Sequence, residues 1–583
     1  MYKTSTCICR ELVPEDFDQA LQIASQQFGN YFVTHDQLNQ YIDSDKYLSQ
    51  GIFDEGELLG FSLMQIGTPE EIFSLLQEGQ EDLLRSFGKY EKVAYRSLTC
   101  VSKKHEGQGI GSLLVKSGLK LLSNKVELVV ADAWKSNSVH IGNILEREGY
   151  QFYHSIPNYW TKSSIEENYT CQYCGTPPCS CEAIIYVKIF DPKSEWWERH
   201  NLRYINHQLH LGSTNIEAFS KEKQTPFYIY HLDRIGEKVE MIQKACHAQF
   251  RYQLSYAMKA NRHPAILQYL RKEKKINVDV CSPNELQYAL EQGFEQEQIS
   301  YTGTSLSKRD ITILKQHPKV HVNLDSLSAI RRFGTINKSR TIGLRLNPGI
   351  GLGYNESLEY TSTIVKFGIY EEQLQEAIQL CKQYKLVINT LHVHCGSGYL
   401  GDQLPKLKTI LSFIEQLLPQ FPSVQNINIG GGLGVMQTEG DQNLPLHEWT
   451  QIIKGFARKH RIKMLFEPGD FLVKDAGILV TEVNYVEEKR GTTFVGLDTG
   501  MNMNNEYAYY QMNLEPIPIQ QSIKPKQSYV LAGNINEPVD TFGEHWMTPL
   551  QEDQIIALLN TGGYGASSSS NHCMRGDFKE YII

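Results

Sequence analysis

INVDVCSPNELQYALEQGFEQEQISYTG, residues 276–303, decides the architecture of the larger part of this chain. A short buried strand, INVDVCS, runs into a helical stretch, Pro283–Gln292, and then into a second strand, QISYTG. The alternation continues on both sides. After Thr225, YQLSYAM, VHVNLD, IGLRLN, NTLHVHCG, INIGGG and MLFEP read as further short strands, with Gln373–Tyr384 as another intervening helix. Repeated strand–helix units predict an α/β fold whose parallel (β/α)8 barrel, about residues 236–475, carries its site at the carboxy ends of the strands. From about Asp475 the helices fade into strand and turn. A smaller β-domain, drawn from residues 206–235 and 476–583, is therefore expected to pack on the barrel.

The first third reads differently. A strand, Lys92–Val101, leads through the glycine-rich loop HEGQGIG into a helical stretch, Ser112–Leu122. Then come a strand at Val126–Ala131, a helix over about Ser138–Glu148 that stops at Gly149, and strands at Tyr150–Tyr153 and Ile184–Phe190. This predicts a separate α/β domain over residues 1–192. The polar aromatic stretch beginning DPKSEWWERH has no clear period, so residues 193–205 are expected to be a linker.

A chain of 583 residues is too long for one core, which stops growing near ~250–300 residues. A net charge of −9 provides no basic field for phosphate backbones, which argues against a nucleic-acid partner. The amino terminus, MYKTSTCICREL, lacks a secretory core, and no apolar run of about 18 residues could span a bilayer, so a cytoplasmic protein without a membrane partner is expected. Of the 12 cysteines, four are tightly grouped and the rest are scattered, which fits reduced thiols and one metal candidate better than a disulfide framework.

YAMKAN, Tyr256–Asn261, places Lys259 at the end of a buried strand, where an apolar setting favours the neutral, nucleophilic amine. Alone, such a lysine is usually a solvated strand end. Three motifs follow it in order, each at a strand end: HVHCGSG (392–398), NIGGGLG (428–434) and EPGD (467–470). Glycines 430, 431 and 432 let backbone N–H groups approach a phosphate closely. With TPFYIYHLDRI before them and GGYGASSSSN after, these motifs resemble the diaminopimelate, ornithine and arginine decarboxylases, pyridoxal-phosphate-dependent enzymes of the alanine-racemase-like barrel type. The resemblance spans about residues 206–583.

The resemblance implies that Lys259 carries pyridoxal 5′-phosphate and that Glu467 pairs with the ring nitrogen. It further implies that His394 stacks on the ring and that Asp279 and Arg345 line the pocket. Ser397, Gly430, Gly431, Gly432, Gly469 and Tyr564 match the remaining cofactor contacts. His392 reads as a structural histidine. The family works as a homodimer with shared sites, which implies that Lys366 pairs across the interface with Asp540. Three departures stand out. Asn536 in GNINEPVD replaces the family's proton-donating cysteine, although Glu537 after it is kept as a candidate for the substrate's distal amine. Asp470 replaces an arginine, so it is expected to face away from the phosphate or to meet a cationic group of the substrate. NMNNEYAYY, 502–510, lacks the Arg-Pro pair that grips the distal carboxylate of diaminopimelate. An amide cannot act as a general acid near neutral pH, so that proton must come from His394, Lys259, water or elsewhere.

VSKKHEGQGIG, 101–111, resembles the acyl-CoA loop of the GNAT N-acetyltransferases. The likeness implies acetyl-CoA as cosubstrate at Val101, Gln108, Gly109, Ile110, Gly111, Ser112 and Asn137, with the pyrophosphate at the helix start. Leu145 stands where many members have the tyrosine that protonates the leaving thiolate, which leaves the acid unassigned. Cys171, Cys174, Cys179 and Cys181, spaced C-x2-C-x4-C-x-C, could give four thiolates to one structural zinc; the plainer alternative is a set of reduced loop thiols. The expectation is a bifunctional enzyme that makes an amine by decarboxylation and acylates an amine. A barrel-type racemase is a rival, but such enzymes place an arginine at the ring nitrogen, where this chain has Glu467. A non-catalytic regulator that keeps the fold is the second rival.

Overall fold

The computed structural model describes residues 7–29, 32–42, 44–135, 141–171, 173–359, 361 and 364–583. They form two compact units. One is built mainly from the chain up to Glu195, and the other from Trp196 onward except for the short segments Ser522–Gln527 and Trp546–Pro549.

The first unit is built on a seven-stranded sheet. Its strands are β1 (Ile8–Arg10), β2 (Tyr47–Asp54), β3 (Glu57–Gly67), β4 (Val93–Val101), β5 (Leu128–Lys135), β6 (Gln151–Ile156) and β7 (Glu182–Ile189), in the order β1-β2-β3-β4-β5-β7-β6. β4 and β5 are parallel, and the other neighbours are antiparallel. Apolar clusters cover both faces, one around Leu128, Val130 and Ile185 and another around Val129, Ala131 and Ile184. This is the alternation expected of a sheet buried on both sides. Pairing between β4 and β5 stops at Arg96 and Ala131, although β4 runs on to Val101 and β5 to Lys135. The two strands therefore fork, and the helix Ile110–Leu122 begins beside the open end.

In the second unit eight parallel strands close a barrel: Tyr252–Ala257, Asn277–Val280, Ile299–Tyr301, His321–Leu324, Thr341–Arg345, Val387–His392, Asn426–Asn428 and Lys463–Phe466. Each lies within one of the segments read as a strand or within a residue or two of it. A mixed eight-stranded sheet forms the β-domain, with Gly477–Lys489 at its heart. Phe227–Tyr230 joins it between Gly477–Lys489 and Lys579–Ile582. The expected linker is partly structured. Leu202–Ile205 is a strand of a small three-stranded sheet, and Trp197 and Leu202 are buried with Ile478 and Ile517. The pattern was missed because one large aromatic anchors the segment where no period repeats.

Candidate active sites

Strand register assembles the barrel mouth. Asp279 pairs with Ala257 on one side and Ser300 on the other, and His392 pairs with Arg345 and Asn428. These residues stand at the carboxy ends of their strands, the level where barrel sites form. Lys259 follows in the short turn Met258–Ala260.

Glu467, at the end of Lys463–Phe466, is the best-held group in the mouth. Its Oε1 accepts from Asn428 Nδ2 at 2.6 Å and Ser300 Oγ at 3.2 Å, and its Oε2 lies 3.1 Å from His392 Nε2. Burial alone would raise its pKa, but His392 and these hydrogen bonds hold it below the ordinary carboxylate value. Asp279 goes the other way. Burial, then repulsion from Glu467, pushes it well up against the opposing charge of Lys259. His394 is pushed well below its usual value by burial and by the positive charges of Lys259 and Arg345, which makes it a neutral imidazole and a poor acid. Arg345 is buried, its guanidinium 4.7 Å from the centre of the Phe367 ring.

The residues present fit pyridoxal phosphate. Asp279 Oδ1, both carboxylate oxygens of Asp325 and His392 Nδ1 are buried with no hydrogen-bond partner among the described residues. The glycine run is a cradle that side chains would fill: a Cβ would lie 2.7 Å from His394 Nδ1 at Gly430, 2.3 Å from Glu467 O at Gly431 and 2.6 Å from Gly396 O at Gly432. Gly430 and Gly432 also have positive φ. Ser397 is part-buried in the neighbouring loop, and Gly469 packs against Ala257 and Ala260. The GGYG loop is tied to the lysine turn by Tyr564 N donating to Ala260 O at 2.8 Å and Asn261 Nδ2 to Gly562 O at 2.9 Å.

Asp470 is buried, and the cation it meets belongs to its own chain. Lys474 Nζ lies 3.7 Å from it and 2.5 Å from Glu506, while Tyr354 OH donates to Asp470 at 3.3 Å. Glu506 belongs to the segment where an Arg-Pro pair was sought, and burial raises its pKa to about 7. Asn536 and Glu537 lie on an exposed loop of the β-domain, where Glu537 meets His572 at 3.2 Å. Asp540 is buried, its two oxygens accepting the N–H groups of Met501 and Ile535 at 2.6 Å each. Lys366 is exposed beside Phe367. Sequence reasoning took His392 as structural and passed over Asn428, Ser300 and Lys474. The signal for the first two was their even spacing from pocket residues along a strand, His392 with His394 and Asn428 with Gly430.

In the first unit a cleft of about 1450 Å³ opens at the fork of β4 and β5. Val101, Gln108, Gly109, Ile110, Gly111 and Ser112 line one end, with Gly109 (φ +88°) capping the helix Ile110–Leu122 so that the first-turn amides point outward. Asn137 lies outside the described residues. Leu145 is buried in the wall. Asp132 lies just past the last β4–β5 pair, accepts from Tyr95 OH at 2.8 Å, and is raised by burial to about 7.

The four cysteines converge, with their sulfurs all within 4.8 Å of one another. Cys171–Cys181, Cys174–Cys181 and Cys174–Cys179 are 3.8, 3.4 and 3.9 Å apart. Thiolates about 2.3 Å from a tetrahedral zinc would stand ~3.8 Å apart, whereas a disulfide needs about 2.05 Å. Without a metal, hydrogen bonds from Ser180 lower Cys174 to about 6, whereas burial raises Cys179 to about 11 and Cys181 further, so it is the convergence of the sulfurs that speaks for a metal. The ligand set therefore fits a closed metal site.

Residues 232–474 match the family model "Pyridoxal-dependent decarboxylase, pyridoxal binding domain". The comparisons support a pyridoxal-phosphate-dependent decarboxylase for the second unit, and no helix among the described residues is long and apolar enough to cross a membrane. The unit is similar in particular to diaminopimelate decarboxylases. That of Methanothermobacter thermautotrophicus is 28% identical over 395 residues, 65% of this chain and 92% of its own. That of Aquifex aeolicus is 26% identical over 392 residues, 66% and 92% of the two chains. The crystal structure of the Helicobacter pylori enzyme complexed with L-lysine aligns with a TM-score of 0.59 at 25% identity, covering 63% of this chain and 94% of that one.

Proposed function

We propose that the second unit decarboxylates a basic, amine-bearing amino acid to an amine, and that the first transfers an acetyl group from acetyl-CoA to an amine in the manner of the GNAT enzymes. The observation that carries the first half is Glu467 held anionic by three donors in a barrel mouth where Lys259 acts electrostatically on both Asp279 and His394. Pyridoxal phosphate, when bound, supplies an electron sink for the pair released with carbon dioxide. Lys259 would hold it, Glu467 would keep a proton on the ring nitrogen, and the amides of Gly430 to Gly432 with Ser397 and Tyr564 would hold the phosphate. Asn428, Ser300 and His392 orient Glu467. His394, kept neutral, would pack on the ring rather than deliver a proton, and Asp279, whose pKa burial and Glu467 push up, is the candidate to hold one.

The relatives' name points to diaminopimelate, but the arginine-free segment 502–510 favours an amine at the distal end of the substrate. Glu467 weighs against a racemase. The four cysteines are read as a structural zinc site, and the described cysteines, all free, fit a cytoplasmic location.

Borohydride reduction and peptide mapping should place the cofactor on Lys259, and a panel of basic amino acids should release carbon dioxide. Label on another lysine would overturn this reading. For the acyltransferase half, Gly109→Asp puts a charge and a side chain at a positive-φ helix cap, and should weaken acetyl-CoA binding about tenfold or more by calorimetry. Equal affinity in both proteins would refute it.

A further inference from the structure

The four-cysteine knot does not stand apart from the cleft of the first unit. Cys171 and Cys179 line that cleft, and Trp134, Tyr173 and Phe32 line it with them. Trp134 is held by the knot from two sides. Its indole is near enough to the Cys181 thiol to lower that thiol's pKa against the effect of burial, and Tyr173, which lies between Cys171 and Cys174, packs edge-on against it with ring centres 4.7 Å apart. Phe28, 6.3 Å from Trp134, stacks on Phe32 at 4.8 Å, and Phe32 meets Tyr169 edge-on at 5.6 Å. Asp132 precedes Trp134 by two residues on β5, so the two side chains share one face of the strand, and both line the cleft.

The knot itself is tightly made. Cys171 and Gly175 exchange two backbone hydrogen bonds of 2.9 Å, and Ser180 N points at Cys174 Sγ from 3.4 Å. Thiols this close to one another repel once ionised unless a cation sits among them. The position of Trp134 thus depends on whatever holds the four sulfurs together.

We propose that the knot is a metal-held wall of the acceptor site: zinc bound by Cys171, Cys174, Cys179 and Cys181 fixes Trp134 and Tyr173 beside Asp132, and together they receive a primary amine with an apolar body. The inference rests on the acyltransferase reading above. Aromatic faces attract an ammonium group, and a recessed carboxylate at the fork pairs with it. In the transfer, the amine nitrogen bonds to the acyl carbon as the carbon–sulfur bond breaks. Of the two protons the ammonium loses, one goes to Asp132 and the other to the departing thiolate, which leaves an amide and free coenzyme A.

The test uses the full-length protein, acetyl-CoA, and 1,5-diaminopentane as the amine probe, with thiol release as the readout so that binding in the barrel does not register. Zinc per chain and acetyl-CoA affinity by calorimetry are measured in parallel. Cys174→Ser should lose the metal and raise the KM for the diamine about tenfold or more, leaving acetyl-CoA affinity within about twofold. Trp134→Leu should keep the zinc and show the same rise, which guards against a knot variant that merely misfolds. Zinc-free protein with an unchanged diamine KM, or Trp134→Leu with wild-type kinetics, would overturn the wall. Thiol release absent from a wild type that binds acetyl-CoA normally would overturn the amine class. Failure to bind acetyl-CoA at all would instead condemn the acyltransferase reading beneath it.

Discussion

Asn428 shows what a single side chain does at the barrel mouth. Its Nδ2 gives Glu467 the shortest of the three hydrogen bonds to that carboxylate, and its Oδ1 accepts the N–H of Gly430 at 2.8 Å, so it ties the acid to the glycine cradle. Asn428→Ala should therefore lower kcat by about 10- to 100-fold, the usual effect of removing an orienting partner, while cofactor absorbance persists with a shifted maximum. A turnover rate within twofold of wild type would show that Glu467 needs no such support. At this scale the sequence was only partly legible. Lys259, Glu467 and His394 stand inside motifs with an order of their own. Asn428, Ser300 and His392 matter through strand register, which becomes visible only when neighbouring strands pair. Asp470 was a departure whose sign could be read but whose partner could not, because Lys474 lies one helical turn on and Glu506 lies 32 residues beyond that.

The element that joins the barrel to the β-domain is pinned by ions. Asp475 lies 2.7 Å from Arg234 Nη2 and 2.9 Å from Lys238 Nζ on the helix Leu232–Cys246, and its backbone carbonyl accepts from Arg199. Although burial raises it, these cations hold its pKa far below the ordinary carboxylate value. A depressed carboxylate pKa adds stability above the unfolded value of about 4, and the contribution is lost as pH falls through that region toward the folded pKa. Asp475→Asn strands the buried Lys238 and leaves the part-buried Arg234 with Glu237 alone, and should cost about 3–5 kcal/mol at pH 7 by urea unfolding. The difference from wild type should shrink in acid, and a gap constant down to pH 3 would contradict this account. The eight barrel strands were legible because each is a short apolar run closed by a turn. The segment 193–205 was not, since its structure rests on Trp197 and Leu202 meeting strands hundreds of residues away.

For the whole molecule the question is how many chains make one site. Asn536 and Glu537 stand on an exposed loop while Lys259 and Glu467 sit in the barrel mouth, an arrangement that suits a pocket completed by a second copy. If two copies share sites, mixing Lys259→Ala with Glu537→Gln after brief dissociation should restore up to about a quarter of wild-type activity by random pairing around a two-fold axis. No recovery, with mixed dimers demonstrated by mass, would mean that each chain serves itself.

The sandwiching of Phe227–Tyr230 between Gly477–Lys489 and Lys579–Ile582 bears on how the protein comes into being. Tyr230 and its partner Glu580 are 350 residues apart. At translation rates of about 5–20 residues per second, one side of that strand waits roughly 20–70 s for its neighbour to leave the ribosome. The barrel, whose strands pair in sequence order except where Tyr252–Ala257 meets Lys463–Phe466 to close it, can form in the meantime. The sheet that bears Tyr564 is sealed last, so competence to hold a cofactor should arrive as a late event in synthesis, after most of the polypeptide has already found its shape.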